Sequence, residues 1–504
     1  PIDYGVTGID LTNRVSGKAD GLSDINDFVG PSNAHTKGAW SAAAEWPLSA
    51  IHAALLPTGH VATYGTDELG NNASGFIYDL WNPHMGLGAS AHNTLDNKTN
   101  TNTFCSAQTV LSNGQLLISG GDENGLPDGY KGDGISQSVL LNPVTEKMSR
   151  AAKMSYARWY PTLVGLPNGE NLILGGRSAK PRDGGKSYGV RTPEIYNTNT
   201  GKYRKLTGIN NDFFERSWYY PRAYVGNTGK VFITRNGSHD VWRMSWTGKG
   251  SIEKNVSTRG EVFSQQYPSV VYRPGKVLTL TKGKGAKILD IRGNNATISS
   301  TSALGVQRLF SDATVLSDGR VLVTGGSSIR QDLASAHYKA QIWSPGNGKW
   351  RDLASASKAR LYHSTALLLP NGAVLVTGGG PPGPVVNMNA EIFYPPYLFK
   401  KDGSGELANR PSISSMPAVK YGQKFAINYS SATAIKRVAM IRVGSVTHSF
   451  DQSQRYVPLS FTTSRNKLII NGPKNKNQAP PGQYMLVIID KNGVPSHAEM
   501  FQPS

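Results

Sequence analysis

Cysteine is nearly absent from this chain of 504 residues: Cys105 stands alone. A single thiol excludes any internal disulfide framework, so packing and backbone hydrogen bonding must hold the fold. Long apolar runs are missing as well. None approaches the ~18 residues a membrane-spanning helix requires, and no membrane span is expected. Acidic residues are outnumbered, 34 against 53 Lys and Arg, which leaves a formal charge of +19. The basic residues are scattered in ones and twos, a pattern that gives a solvated, positively biased surface and no nucleic-acid-binding arm. Such a surface would still attract an anionic polysaccharide of a cell envelope.

What is abundant is glycine, 56 residues against 14 Phe and 9 Met. That balance favours tight turns between short strands over long helices. One shape recurs along the chain: an apolar run, a turn with Gly, a second apolar run, then often Gly-Gly. Examples are "TFCSAQTVLSNGQLLISGGD" from Thr103, "ARWYPTLVGLPNGENLILGGR" from Ala157 and "RLYHSTALLLPNGAVLVTGGG" from Arg360. Each reads as a β-hairpin. The seven turn glycines are Gly59, Gly114, Gly169, Gly229, Gly275, Gly319 and Gly372, a spacing near the ~50-residue period of kelch repeats. Further strand-like runs lie between them, so each period supplies four strands. The fold class predicted is all-β: a seven-bladed kelch-type β-propeller over residues 1–400, whose segment 1–45 carries no repeat and packs against the ring. From 401 to 504 short alternating strands predict an Ig-like β-sandwich.

Counting nine residues back from the turn glycines gives Ala50, Cys105, Tyr160, Tyr220, Gln266, Phe310 and His363, with Tyr362 one residue earlier. Equal register in a repeat means equivalent position on successive blades. If the hairpin lines the central channel, Cys105, Tyr160, Tyr362 and His363 converge on one mouth. Tyr220, Gln266, Phe310 and Trp159 then form a substrate pocket beside them. Nitrogen and oxygen donors in this combination suit Cu(II); two phenols without a second thiolate make a poor zinc set. Aromatic plugging of the channel is the alternative for the two tyrosines taken alone. His52 falls two residues past the register, as a neighbour to the ligands. His60, His84, His92 and His337 have no register support, and His497 reads as structural.

At these residues the sequence resembles the galactose oxidase and glyoxal oxidase family of copper-radical oxidases. "NTFCSAQTVLSNGQLLISGG" is similar to the family's cysteine segment, "ARWYPTLVGLPNGENLILGG" to its cross-linked tyrosine segment, and "RLYHSTALLLPNGAVLVTGGG" to its Tyr-His motif. "AEIFYPPYLF" resembles the junction into the C-terminal domain, and "RVGSVTHSFDQSQRYVPLSF" the loop that returns a second histidine, here His448, to the channel.

The resemblance implies one copper ion per chain, held by Tyr160, Tyr362, His363 and His448. It implies a thioether between Cys105 and Tyr160 that carries a radical, and Tyr362 as the base. The reaction implied is two-electron oxidation of a small primary alcohol, aldehyde or glycan-derived substrate, with O2 reduced to H2O2. The implied location is secreted or envelope-associated, extracellular or periplasmic. Within the family, the impossibility of a disulfide points toward a bacterial member, and two departures point toward a glyoxal-oxidase-like one. No tryptophan follows Gly176 closely to cover Tyr160, leaving Trp159, Trp218 and Trp242 unassigned by spacing, and no carbohydrate-binding domain precedes the propeller. The competing reading is a kelch scaffold for an anionic envelope polymer, which has no use for all five residues. A hydrolytic propeller would need paired carboxylates, and the register holds none.

Overall fold

The computed structural model describes residues 27–72, 74–124, 132–179, 188–257, 263–465 and 467–504. The seven repeats fold as seven blades. Their first strands are His52–Leu55, Ala107–Val110, Trp159–Gly165, Arg222–Val225, Ser269–Arg273, Asp312–Val315 and Ser364–Leu368. Each pairs antiparallel with the strand beyond its turn glycine, and two further strands complete the blade. The turns require glycine because the backbone there is left-handed, with φ of 86° at Gly59 and 80° at Gly372. Both faces of these hairpins are covered, so Val61–Tyr64 and Val374–Gly378 are buried throughout.

The last blade takes its outer strand from the other end of the chain. Ala39–Trp40 pairs with Asn389–Tyr394, Ala39 opposite Tyr394 and Trp40 opposite Phe393. Trp40 also donates its indole N–H to the Ala354 carbonyl at 3.0 Å. Part of the unrepeated segment 1–45 thus closes the ring; its first 26 residues lie outside the described residues.

After residue 400 two small sheets face each other. One has the order Ser412–Ser415, Lys424–Ser430, Lys467–Asn471, Phe461–Ser464. The other joins Phe450–Leu459, Ile435–Arg442, Tyr484–Asp490 and Glu499–Phe501. Along Lys424–Ser430 burial alternates, Phe425 and Ile427 pointing inward to meet Met440, Leu468 and Leu486. The strand Phe450–Leu459 does two jobs. Its far end belongs to this sandwich. Its near end, with Ser445–Thr447, forms a hairpin that enters the propeller: His52 pairs with Thr447, and Ser269 pairs in parallel with Phe450. Gln452 and Gln454 seal it there, accepting from the backbone N–H of Leu163 at 3.2 Å and of Val315 at 2.8 Å.

Candidate metal centre

Five of the seven register positions share a backbone state. Cys105, Tyr160, Tyr220, Phe310 and His363 all have positive φ, between 35° and 72°, a region that non-glycine residues seldom occupy. The twist turns the amides of Tyr160, Tyr220 and Phe310 sideways onto the neighbouring blade. Tyr160 N–H donates to the Cys105 carbonyl at 3.0 Å, Tyr220 N–H to that of Tyr160 at 2.9 Å, and Phe310 N–H to that of Gln266 at 2.7 Å. A belt of inter-blade hydrogen bonds thus holds these residues around the axis. It also explains how adjacent residues face the same way. At His363 the left-handed twist breaks the alternation of a strand, and the Tyr362 and His363 rings lie stacked with centroids 3.8 Å apart.

His448 arrives from the hairpin tip, where it and Ser449 also have positive φ. Its Nε2 lies 3.5 Å from Cys105 Sγ, and His363 Nε2 lies 3.9 Å from the same sulfur. The ligand atoms of these three residues fall within 4.8 Å of one another. The phenol oxygens of Tyr160 and Tyr362 are 3.1 Å apart. Cys105 and Tyr160 share one small cluster with Ile51, Phe104 and Tyr220.

Hydrogen bonding fixes both imidazole tautomers. A carbonyl can only accept, so His363 Nδ1 donates to the Pro381 carbonyl. The Thr447 hydroxyl gives its one proton to the Ile51 carbonyl at 2.9 Å, so it accepts from His448 Nδ1–H at 2.6 Å. Each ring therefore carries its lone pair on Nε2, aimed at the common point, with the outer nitrogen held as metal-ligating histidines are held. Burial lowers His363 to about 3 and His448 well below its ordinary value, where His363 and His52 add to the effect. Both are neutral donors at physiological pH. Burial pushes the Tyr160 and Tyr362 phenols and the Cys105 thiol well up, so without a cation they keep their protons. Two neutral imidazoles and two phenols fit a divalent ion of the Cu(II) type, which would pull both phenol protons off.

Of these five residues only the two tyrosines keep more than a trace of exposed surface. Cys105 is 0% exposed and both histidines 2%, whereas Tyr160 is 6% and Tyr362 7% exposed. Of the pocket residues read from sequence, Trp159 and Gln266 are half-buried. Phe310 is buried with its ring 4.9 Å from that of Tyr362. Tyr220 has no exposed surface: its hydroxyl donates to the Ser106 carbonyl at 2.8 Å, and its ring lies 4.5 Å from His448. Two tryptophans flank Tyr160, Trp159 with its centroid at 4.0 Å and Trp218 at 5.8 Å. The Arg177 guanidinium lies over both, 4.3 and 4.5 Å from their ring centres. Trp242 is elsewhere, against Phe213. His52 is fully buried, stacked on Tyr64 at 4.4 Å and 6.0 Å from His448.

Tyr219 was not among the sequence candidates, yet its hydroxyl donates to that of Tyr362 at 3.3 Å. The signal was available. Phe104, Trp159, Tyr219 and Tyr362 all sit one residue before a register position, and all four have rings at this site.

Residues 410–502 match the family model described as galactose oxidase-like, Early set domain. The chain is 26% identical to galactose oxidase of Gibberella zeae, over 95% of this chain and 72% of that protein. It is 25% identical to the aldehyde oxidase GLOX of Vitis pseudoreticulata, over 89% of this chain and 90% of that one. A solved structure described as a novel fungal alcohol oxidase of the AA5 family in complex with copper superposes with a TM-score of 0.80. Identity there is 22%, covering 93% of this chain and all of that one.

Proposed function

The chain belongs to the galactose oxidase and glyoxal oxidase family, and from that premise we propose a copper-radical oxidase acting on a small primary alcohol or aldehyde hydrate. Tyr160, Tyr362, His363 and His448 would hold the ion. When bound, copper supplies one of the two oxidising equivalents the reaction needs, the second residing on the Tyr160 ring. The observation that carries this reading is the pair of Nε2 lone pairs converging beside Cys105 Sγ, with both phenols within hydrogen-bond reach of each other.

The remaining chemistry belongs to side chains of this chain. Cys105 and Tyr160 would first join: the thiol S–H and a ring C–H break, an S–C bond forms, and two electrons and two protons pass to dioxygen as hydrogen peroxide. In turnover Tyr362, one of the two slightly exposed tyrosines, would take the substrate hydroxyl proton; Tyr219, donating to its oxygen, would stabilise the anionic form. Trp159 and Trp218 exclude water from the Tyr160 ring. Electrons balance as alcohol to aldehyde, or aldehyde hydrate to acid, against O2 to H2O2. We place the enzyme outside the cytoplasm, extracellular or periplasmic, where peroxide is released away from reduced thiols.

The test is a peroxide-coupled screen of copper-loaded protein against small aldehydes, primary alcohols and sugars, with oxygen uptake measured in parallel. We expect equimolar peroxide formation and oxygen consumption with members of the first two groups. Absence of both across the whole panel would overturn the reading.

A further inference from the structure

We propose that Arg222 is a positioning residue for this centre, a latch that holds the His448–Ser449 turn of the C-terminal hairpin at the depth its imidazole needs. The inference rests on reading His448 as a ligand.

Arg222 opens the first strand of blade four, two residues past the register position Tyr220, and is 3% exposed. Its Nη2 lies 2.7 Å from the Gln265 carbonyl, 3.0 Å from that of His448 and 3.5 Å from that of Ser449. The first two are donated hydrogen bonds; the third marks the edge of reach. The guanidinium carbon stands 4.6 Å from the ring centre of Phe450, the next residue of the hairpin. One side chain of the propeller thus touches three consecutive residues of the inserted loop, 226 residues later in the chain.

The turn needs such support. Two consecutive non-glycine residues with positive φ, 50° and 59°, hold a sparsely populated backbone conformation that persists only where the surroundings over-determine it. A charged donor on the His448 carbonyl supplies that, because hydrogen bonds from a buried guanidinium are among the stronger kind.

Three other buried arginines bond differently. Arg158 bonds to the carbonyls of Gly175 and Thr192, Arg308 to those of Gly325 and Lys339, and Arg360 to Gly378, Asn389 and Glu391. Each of these contacts stays within the arginine's own blade. Arg222 instead bridges blade four, the segment leading into blade five, and the C-terminal domain. Arg455 also bridges the propeller and the hairpin strand, to the carbonyls of Val225, Asn477 and Gln478, but at the end away from His448. It is the natural control.

The experiment compares Arg222→Gln, Arg222→Lys and Arg455→Gln. Amide exchange across residues 445–453 is measured on metal-free protein, and copper affinity by competition titration. We expect Arg222→Gln to speed exchange in the turn at least about 10-fold and to weaken copper binding about 10–100-fold, the range for losing an outer-shell partner. Arg222→Lys should recover part of both and cover the case in which the glutamine variant fails to fold. Arg455→Gln should lower Tm while leaving turn exchange and copper affinity near those of the parent. Parent-like exchange and affinity in Arg222→Gln, or equal losses in both glutamine variants in step with Tm, would overturn the latch. If the parent binds no copper, the oxidase reading falls, and exchange in the metal-free protein still decides the role of Arg222.

Discussion

The sulfur of Cys105 lies 3.5 Å from Nε2 of His448, although 343 residues separate them in the chain. Blade two delivers the first and the C-terminal hairpin the second, so the site exists only when both domains are folded together. His448→Ala should therefore weaken copper binding by at least ~100-fold while leaving the propeller folded. Electron paramagnetic resonance of the cupric form should show nitrogen coupling reduced from two imidazoles to one. Unchanged coupling would place the ion elsewhere.

Tyr362 should separate binding from turnover. Tyr362→Phe removes the proposed base and the acceptor for Tyr219 but leaves three proposed ligands. We expect copper still to bind and peroxide production to fall about 10²–10⁴-fold, with cross-link formation retained because Cys105 and Tyr160 are intact. Steady-state oxygen uptake beside intact mass checks both halves.

Asp312 offers a test through pH. It is fully buried on the first strand of blade six; one carboxylate oxygen accepts from Ser364 at 2.7 Å, and the other has no partner among the described residues. Burial pushes its carboxyl up to about 7, against the opposing influence of Arg222 and Arg360. The folded state therefore keeps a proton that the unfolded chain gives up from pH ~4. The stability this provides is complete below the unfolded value and is lost as pH rises through about 7. Asp312→Asn should flatten that decline and gain on the order of 1–2 kcal/mol at pH 8 relative to the parent, a sum reduced by the nearby guanidinium groups. Denaturant melts of metal-free protein at pH 5, 6, 7 and 8 measure it; parallel curves for the two proteins would refute it.

Much of this was legible because a repeat turns sequence distance into spatial equivalence. Counting from Gly114, Gly169 and Gly372 puts Cys105, Tyr160 and His363 at one level from the sequence alone. The count could not supply His448, which follows no repeat and was found only by resemblance. It also could not show that the register backbone is left-handed, since nothing in the local composition at Cys105 or Phe310 favours positive φ; the belt of inter-blade hydrogen bonds imposes it. Tyr219 escapes the count because it sits one residue before the register position Tyr220, off the position counted. Trp218 could not be told from Trp242 by spacing from Tyr160, because both lie on the blade after it and only the fold brings Trp218 to that ring. Closure of the ring by Ala39–Trp40 was equally hidden: two residues carry no periodicity.

The most direct test of the convergence of Cys105 and Tyr160 on a copper ion is the intact mass of metal-free protein before and after copper and oxygen, followed by peptide mapping. The account predicts a loss of about two hydrogens, a Cys105 peptide joined to a Tyr160 peptide, and no titratable thiol after unfolding, all abolished in Cys105→Ser. A full-mass chain with a free Cys105 thiol after copper loading would contradict it.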